Sequence, residues 1–128
     1  MSLNMQSAPR EDHALPLSLS DWGWRYHHLG IPTDIPRPGE VYIEKYKMYV
    51  SGFRTSPYGV EWMRFDPESP VPELVQKVPH LAFVVDNLEN ALVGKDILTA
   101  PNSPSDELTV AMIVHNGVPI ELMQFGRR

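Results

Sequence analysis

The chain has 128 residues, no cysteine and a formal net charge of -5. That length predicts one domain with a real core. The charge argues against a sequence-independent hold on nucleic acid, the missing thiols exclude disulfides and thiolate metal sites, and no apolar run approaches the ~20 residues of a membrane span.

The first residues lack the basic-then-apolar pattern of a signal peptide, so the expectation is a cytoplasmic protein. Residues 1–22 are polar and proline-containing without a clear period, and read as an N-terminal arm; residues 23–128 are the domain. Trp24 to Ile31 reads as a strand. Pro32 to Gly39 holds three prolines and reads as a loop with no helical pattern. Val41 to Phe53, rich in Tyr, Val and Ile, reads as one or two strands. Arg54 to Gly59 is a turn, Val60 to Phe65 a strand, and Asp66 to Val78 a crossing connection broken by prolines. His80 to Val85 is a nearly all-apolar strand. Asp86 then reads as a helix N-cap with Glu89 as its box partner. The helix that follows, Asn87 to Val93, stops at Gly94. Lys95 to Thr99, Leu108 to His115 and Val118 to Phe125 read as strands, with turns at Asn102 to Asp106 and at Asn116-Gly117, the latter a strong hairpin signal.

An internal repeat is the most informative feature. His28-Leu29-Gly30-Ile31-Pro32-Thr33-Asp34 matches His80-Leu81-Ala82-Phe83-Val84-Val85-Asp86 in pattern. Glu61-Trp62-Met63-Arg64-Phe65 matches Glu121-Leu122-Met123-Gln124-Phe125. Each half, at about residues 25–66 and 79–125, thus opens on a His and closes near a Glu. Alternate strand residues face opposite sides of a sheet. If one sheet carries all four strands, His28, Glu61, His80 and Glu121 meet on one apolar concave face. Isolated carboxylates there are costly, and a divalent cation neutralises both. Two imidazoles and two carboxylates suit Ni, Co, Zn, Mn or Fe without choosing among them.

These residues resemble the vicinal-oxygen-chelate superfamily, which includes glyoxalase I, methylmalonyl-CoA epimerase, extradiol dioxygenases and bleomycin-resistance proteins. The resemblance covers about Arg25 to Phe125 and rests on His28-Leu29-Gly30-Ile31, on His80 through Glu89, and on Pro119-Ile120-Glu121-Leu122. It implies an α+β fold of tandem βαβββ-type modules around a cupped mixed sheet, the two halves related by a pseudo-twofold axis. It implies His28, Glu61, His80 and Glu121 as ligands of one divalent metal, Glu121 or Glu61 as the proton shuttle, and a homodimer. The chain departs from the pattern where Pro32 to Gly39 replaces the helix of the first module.

The expected function is a metal-dependent, glyoxalase-like isomerase or lyase acting on a small oxygen-chelating substrate. The alternative is a non-catalytic module that sequesters an apolar ligand, as bleomycin-resistance proteins do; a third reading is an Fe(II) dioxygenase. Met63 and Met123 are candidates for the floor of an apolar pocket, and Arg54 and Tyr58 for meeting an anionic substrate. His27 falls on the face opposite His28 by strand parity and reads as a surface or supporting residue. His13 and His115 read as surface histidines.

Overall fold

A computed structural model describes residues 9–126, so residues 1–8 of the expected arm lie outside it. The chain forms an eight-stranded mixed sheet. Its strands are β1 (Arg25–Pro32), β2 (Val41–Ile43), β3 (Met48–Ser51), β4 (Val60–Phe65), β5 (His80–Val84), β6 (Ile97–Ser105), β7 (Leu108–His115) and β8 (Val118–Phe125). Among the described residues, three short α-helices accompany them: α1 (Leu17–Ser20), α2 (Glu73–Lys77) and α3 (Leu88–Leu92). The strand order is β2-β3-β4-β1-β5-β8-β7-β6. Exchanging β1–β4 for β5–β8 leaves that order unchanged, which is the expected pseudo-twofold.

The registers repeat as well. β1 runs parallel to β4 with Gly30 opposite Glu61, and β5 runs parallel to β8 with Ala82 opposite Glu121. In each half the Glu therefore lies beside the residue two positions after the His. β1 and β5 join the halves as an antiparallel pair, with His28 opposite Ala82 and Gly30 opposite His80.

The two faces of the sheet have different cores. Behind the second half, Trp24, Phe83, Val85, Leu88, Leu92, Ala111, Ile113 and Leu122 pack into one buried cluster. α3 supplies Leu88 and Leu92 to it, and Leu19 of α1 packs against its edge. No helix occupies Pro32 to Gly39, so the back of the first half is sealed by side chains instead. The Arg37 guanidinium lies 4.4 Å from the Trp62 ring centroid and that of Arg64 lies 4.1 Å from Tyr49. Arg64 also forks onto Glu40, with bonds of 2.9 and 2.7 Å. Arginine stems and faces cover aromatic surface while the charge stays paired.

Two local expectations need correction, and the crossing connection gains a helix. The helix cap is Asn87, not Asp86: the Asn87 Oδ1 accepts the Asn90 N–H at 3.0 Å, while Asp86 turns to Arg25 at 3.2 Å. The crossing connection carries α2, begun directly after Pro72, whose fixed φ suits a helix start. Asn102 to Ser105 is strand rather than turn, because β6 is an edge strand paired only with β7, where Pro101 and Pro104 need not donate to a ladder. Its reversal comes at Asp106 and Glu107, the latter with φ 63. At the next hairpin Asn116 and Gly117 both have positive φ, 50 and 76, the pair a two-residue turn requires.

The cap assignment has a direct test. Asn87→Ala should lower the unfolding free energy by about 1 kcal/mol. Asp86→Ala, which breaks only an exposed ion pair, should leave the denaturation midpoint almost unchanged. Equal losses from the two variants would contradict the assignment.

Candidate metal centre

Strand parity and register bring His28, His80, Glu61 and Glu121 onto the concave side of the sheet, all from one chain. His28 and His80 are 5% and 2% exposed. Three donor atoms form a tight triangle. The Nε2 atoms of His28 and His80 are 3.3 Å apart, and Glu121 Oε1 stands 3.3 Å from the first and 3.1 Å from the second. Glu61 Oε1 lies 3.8 Å from His28 Nε2 and outside that group. The four donors read from the sequence are therefore three together and one alongside.

Gly30 makes this packing possible. A Cβ at that position would stand 2.2 Å from Cε1 of His80 and 2.6 Å from its Nδ1. The His80 ring lies where a side chain on β1 would be, which fixes the ring by shape. Its Nδ1 is buried without a hydrogen-bond partner.

Charge follows from this geometry. Burial would raise the Glu121 carboxyl, but the bonds from His28 and His80 and their charges outweigh it and hold it down at about 2. Burial would lower His28, yet the Glu121 bond and the charges of Glu121 and Glu61 push it above the ordinary histidine value. Glu61 is raised: burial and the Glu121 charge outweigh the pull of the two histidines. One carboxylate is thus held ionised while its neighbour is nudged toward protonation.

The residues present fit a divalent cation. Donors about 2.1 Å from one first-row ion stand roughly 3.0–3.4 Å apart at octahedral or tetrahedral angles. The triangle edges of 3.1 to 3.3 Å match that spacing. His28, His80 and Glu121 are a group that can hold a metal ion.

The triangle opens into a cavity of about 670 Å³. Met63 and Met123 line it with Phe53, Phe65, Val75 and Leu108. Arg54 and Tyr58 do not: the 3₁₀ turn at Phe53–Thr55 sends Phe53 inward and Arg54 to solvent, and Tyr58 is 76% exposed. At the mouth, Lys45 Nζ donates to the Ser103 carbonyl at 2.9 Å and the Tyr46 hydroxyl donates to Asn102 Oδ1. These bonds tie the connection between β2 and β3 to β6, so the two outer edges of the sheet are drawn together over the cavity. Tyr46, Asn102 and α2 carried no signal in the sequence beyond ordinary turn chemistry.

His27 also lines the cavity, against the parity reading. The pairing of β1 with β5 slips between Tyr26 and His28, so His27 is an extra residue in a bulge and turns to the concave side. Burial, then the charge of His28, lowers its pKa. His13 and His115 are exposed.

Metal should stabilise the folded chain. A free concentration a hundredfold above the dissociation constant adds about 2.7 kcal/mol, a shift of several degrees in Tm. Glu121→Gln should remove most of that gain, and Gly30→Ala should do the same by displacing His80, whereas His13→Gln should leave it unchanged. Thermal melts in chelator and in Mn, Co, Ni and Zn measure this; a full gain in Gly30→Ala would contradict the packing argument.

No family model matches the chain, and no curated protein matches it in sequence. Among solved structures it is similar to methylmalonyl-CoA epimerase from Mycobacterium tuberculosis, with a TM-score of 0.57 over 90% of this chain and 95% of that one, at 18% identity. At that identity the similarity speaks for the fold. Together with the mirrored strand order and the paired registers, it shows that the chain has the curled, two-module sheet fold of that structure.

Proposed function

We propose that the chain is a metal-dependent isomerase or lyase of glyoxalase type, acting on a small substrate with two neighbouring oxygens. The observation that carries this reading is the triangle of His28 Nε2, His80 Nε2 and Glu121 Oε1 at the floor of an apolar cavity. In this reading His28, His80 and Glu121 hold a divalent metal, and Glu61 stands beside it as a fourth ligand in one state and as the proton carrier in another. Bound there, the metal supplies Lewis-acid stabilisation of negative charge that develops on a substrate oxygen.

The chain's own groups supply the rest. The cavity falls in the size range of small-molecule sites, and its methionines and phenylalanines grip an apolar body while the polar floor orients the oxygens. The bonds of Lys45 and Tyr46 across the mouth restrict water. The Glu61 carboxylate takes a proton from the carbon next to a carbonyl and returns it to the neighbouring carbon on the same face, so that one base completes the transfer. A carboxyl raised by burial is better matched to that work near neutral pH than an ordinary one. Glu121 is unsuited to it, because two imidazoles hold its proton off. The fold is one that an epimerase structure also has.

A second reading has one observation in its favour. The tight group is two histidines and one carboxylate, the set used by Fe(II) oxygenases. Oxygen uptake separates the two.

The test uses metal-loaded protein and a panel of apolar α-hydroxyketones in D2O. Exchange of the α-proton, followed by NMR, is expected in the wild type. Glu61→Gln should bind metal within a few-fold of the wild type and lose about 100-fold or more in exchange rate. Glu121→Gln should lose metal first. Exchange that survives Glu61→Gln would remove its role, and oxygen uptake with Fe(II) without proton exchange would favour the dioxygenase.

A further inference from the structure

Across the pseudo-twofold His28 corresponds to His80, but the residues before them differ: His27 in one half, Pro79 in the other. The difference is structural as well as chemical. The bulge in β1 places His27 on the cavity side, next to His28. The Nδ1 atoms of the two rings are 2.7 Å apart. The His27 ring is held in place by a stack on Phe53, with centroids 5.0 Å apart and planes at 12°. Two ring nitrogens at that separation share one proton, so one donates and the other accepts. His28 keeps its other nitrogen, Nε2, for Glu121 and His80. His80 has no counterpart to this contact, since its Nδ1 is buried without a partner.

We propose that His27 is a positioning residue: its Nδ1 accepts the Nδ1 proton of His28 and so fixes the tautomer in which the Nε2 lone pair of His28 faces the cup. The inference rests on the metal-centre reading above. A neutral imidazole carries a single proton. Without an acceptor at Nδ1, that proton belongs on Nε2, where Glu121 accepts it, and no lone pair is offered to a cation. An acceptor at Nδ1 shifts the balance and preserves the lone pair where it is needed. Outer partners of this kind change metal affinity about 10–100-fold. The two imidazoles are then set by different means. His28 is oriented by a hydrogen bond from a bulged neighbour, and His80 by the space above Gly30.

Two variants separate the acceptor from the ring. His27→Phe keeps a ring to stack on Phe53 and removes the acceptor. His27→Asn removes the ring and places an amide oxygen near the position of Nδ1. The experiment is Zn(II) titration of the full chain in competition with a chromophoric chelator, with melting temperatures in excess chelator as the control for structure. His27→Phe should weaken Zn(II) by about 10–100-fold, and His27→Asn should recover most of that loss despite the lower melting temperature expected from its missing stack. In 15N NMR of the Zn(II)-loaded wild type, the His28 ring proton should sit on Nδ1 with a downfield hydrogen-bonded shift that is lost in His27→Phe. Equal affinity in wild type and His27→Phe would overturn this inference and leave the metal centre standing. So would affinities that follow melting temperature instead of the acceptor. A wild type that binds no Zn(II), Co(II) or Ni(II) would overturn the metal centre and this inference together.

Discussion

Two carboxylates and two buried imidazoles, those of His28 and His80, share the apolar concave face of one sheet with the half-buried His27 beside them, and the rest of the structure is arranged around the cost of that burial. An ionised group taken out of water loses several kcal/mol, and attraction offsets the loss only where the geometry is good. Here the geometry is set by backbone register rather than by long flexible side chains. The antiparallel join of β1 and β5 places His28 opposite Ala82 and His80 opposite Gly30, so each ring faces a residue small enough to leave it room. The parallel joins then bring Glu61 beside Gly30 and Glu121 beside Ala82. A one-residue slip in any of the three ladders would send a polar side chain to the wrong face.

The halves have diverged on the outside more than on the inside. Behind the second half, α3 covers the sheet with Leu88 and Leu92. Behind the first, a proline-rich loop leaves arginines lying over Trp62 and Tyr49. A helix on the convex face contributes burial but no donor atom to the cup, so the ladders of the first half form without one. On the concave face the divergence is finer. Glycine at position 30 against alanine at 82, and histidine at 27 against proline at 79, make the two imidazoles unequal in what holds them. A site built from two matching halves can in this way give one carboxylate to holding charge, Glu121, and leave the other, Glu61, freer to change its protonation.

Much of this was legible in the sequence, because it depends on periods of two and on a repeat. The order His, Glu, His, Glu at the ends of apolar strands anticipated both the fold and the shared face of His28, Glu61, His80 and Glu121. What escaped depends on pairing between distant segments. Strict alternation puts His27 on the convex face; the bulge that reverses it exists only in the register between β1 and β5. The prolines at 101 and 104 read as turn because their neighbours suggest one, yet an edge strand accepts them. The cap lies one residue later than the sequence suggests: Asn87 accepts the Asn90 N–H, while the exposed Asp86 pairs with the distant Arg25. Arg54 and Tyr58 looked suited to a substrate by residue type alone, and a single 3₁₀ turn decides that Phe53 faces the cavity in their place.

In the function proposed here, the concave cluster of His28, His80 and Glu121 holds one cation. Metal analysis of protein purified without a polyhistidine tag and without added metal tests it most directly. It should find close to one equivalent of a first-row divalent metal per chain, lost when His80 and Glu121 are both replaced by alanine in protein that remains folded. Wild-type protein that carries no metal, and takes up none after exposure to Mn, Co, Ni or Zn, would contradict it.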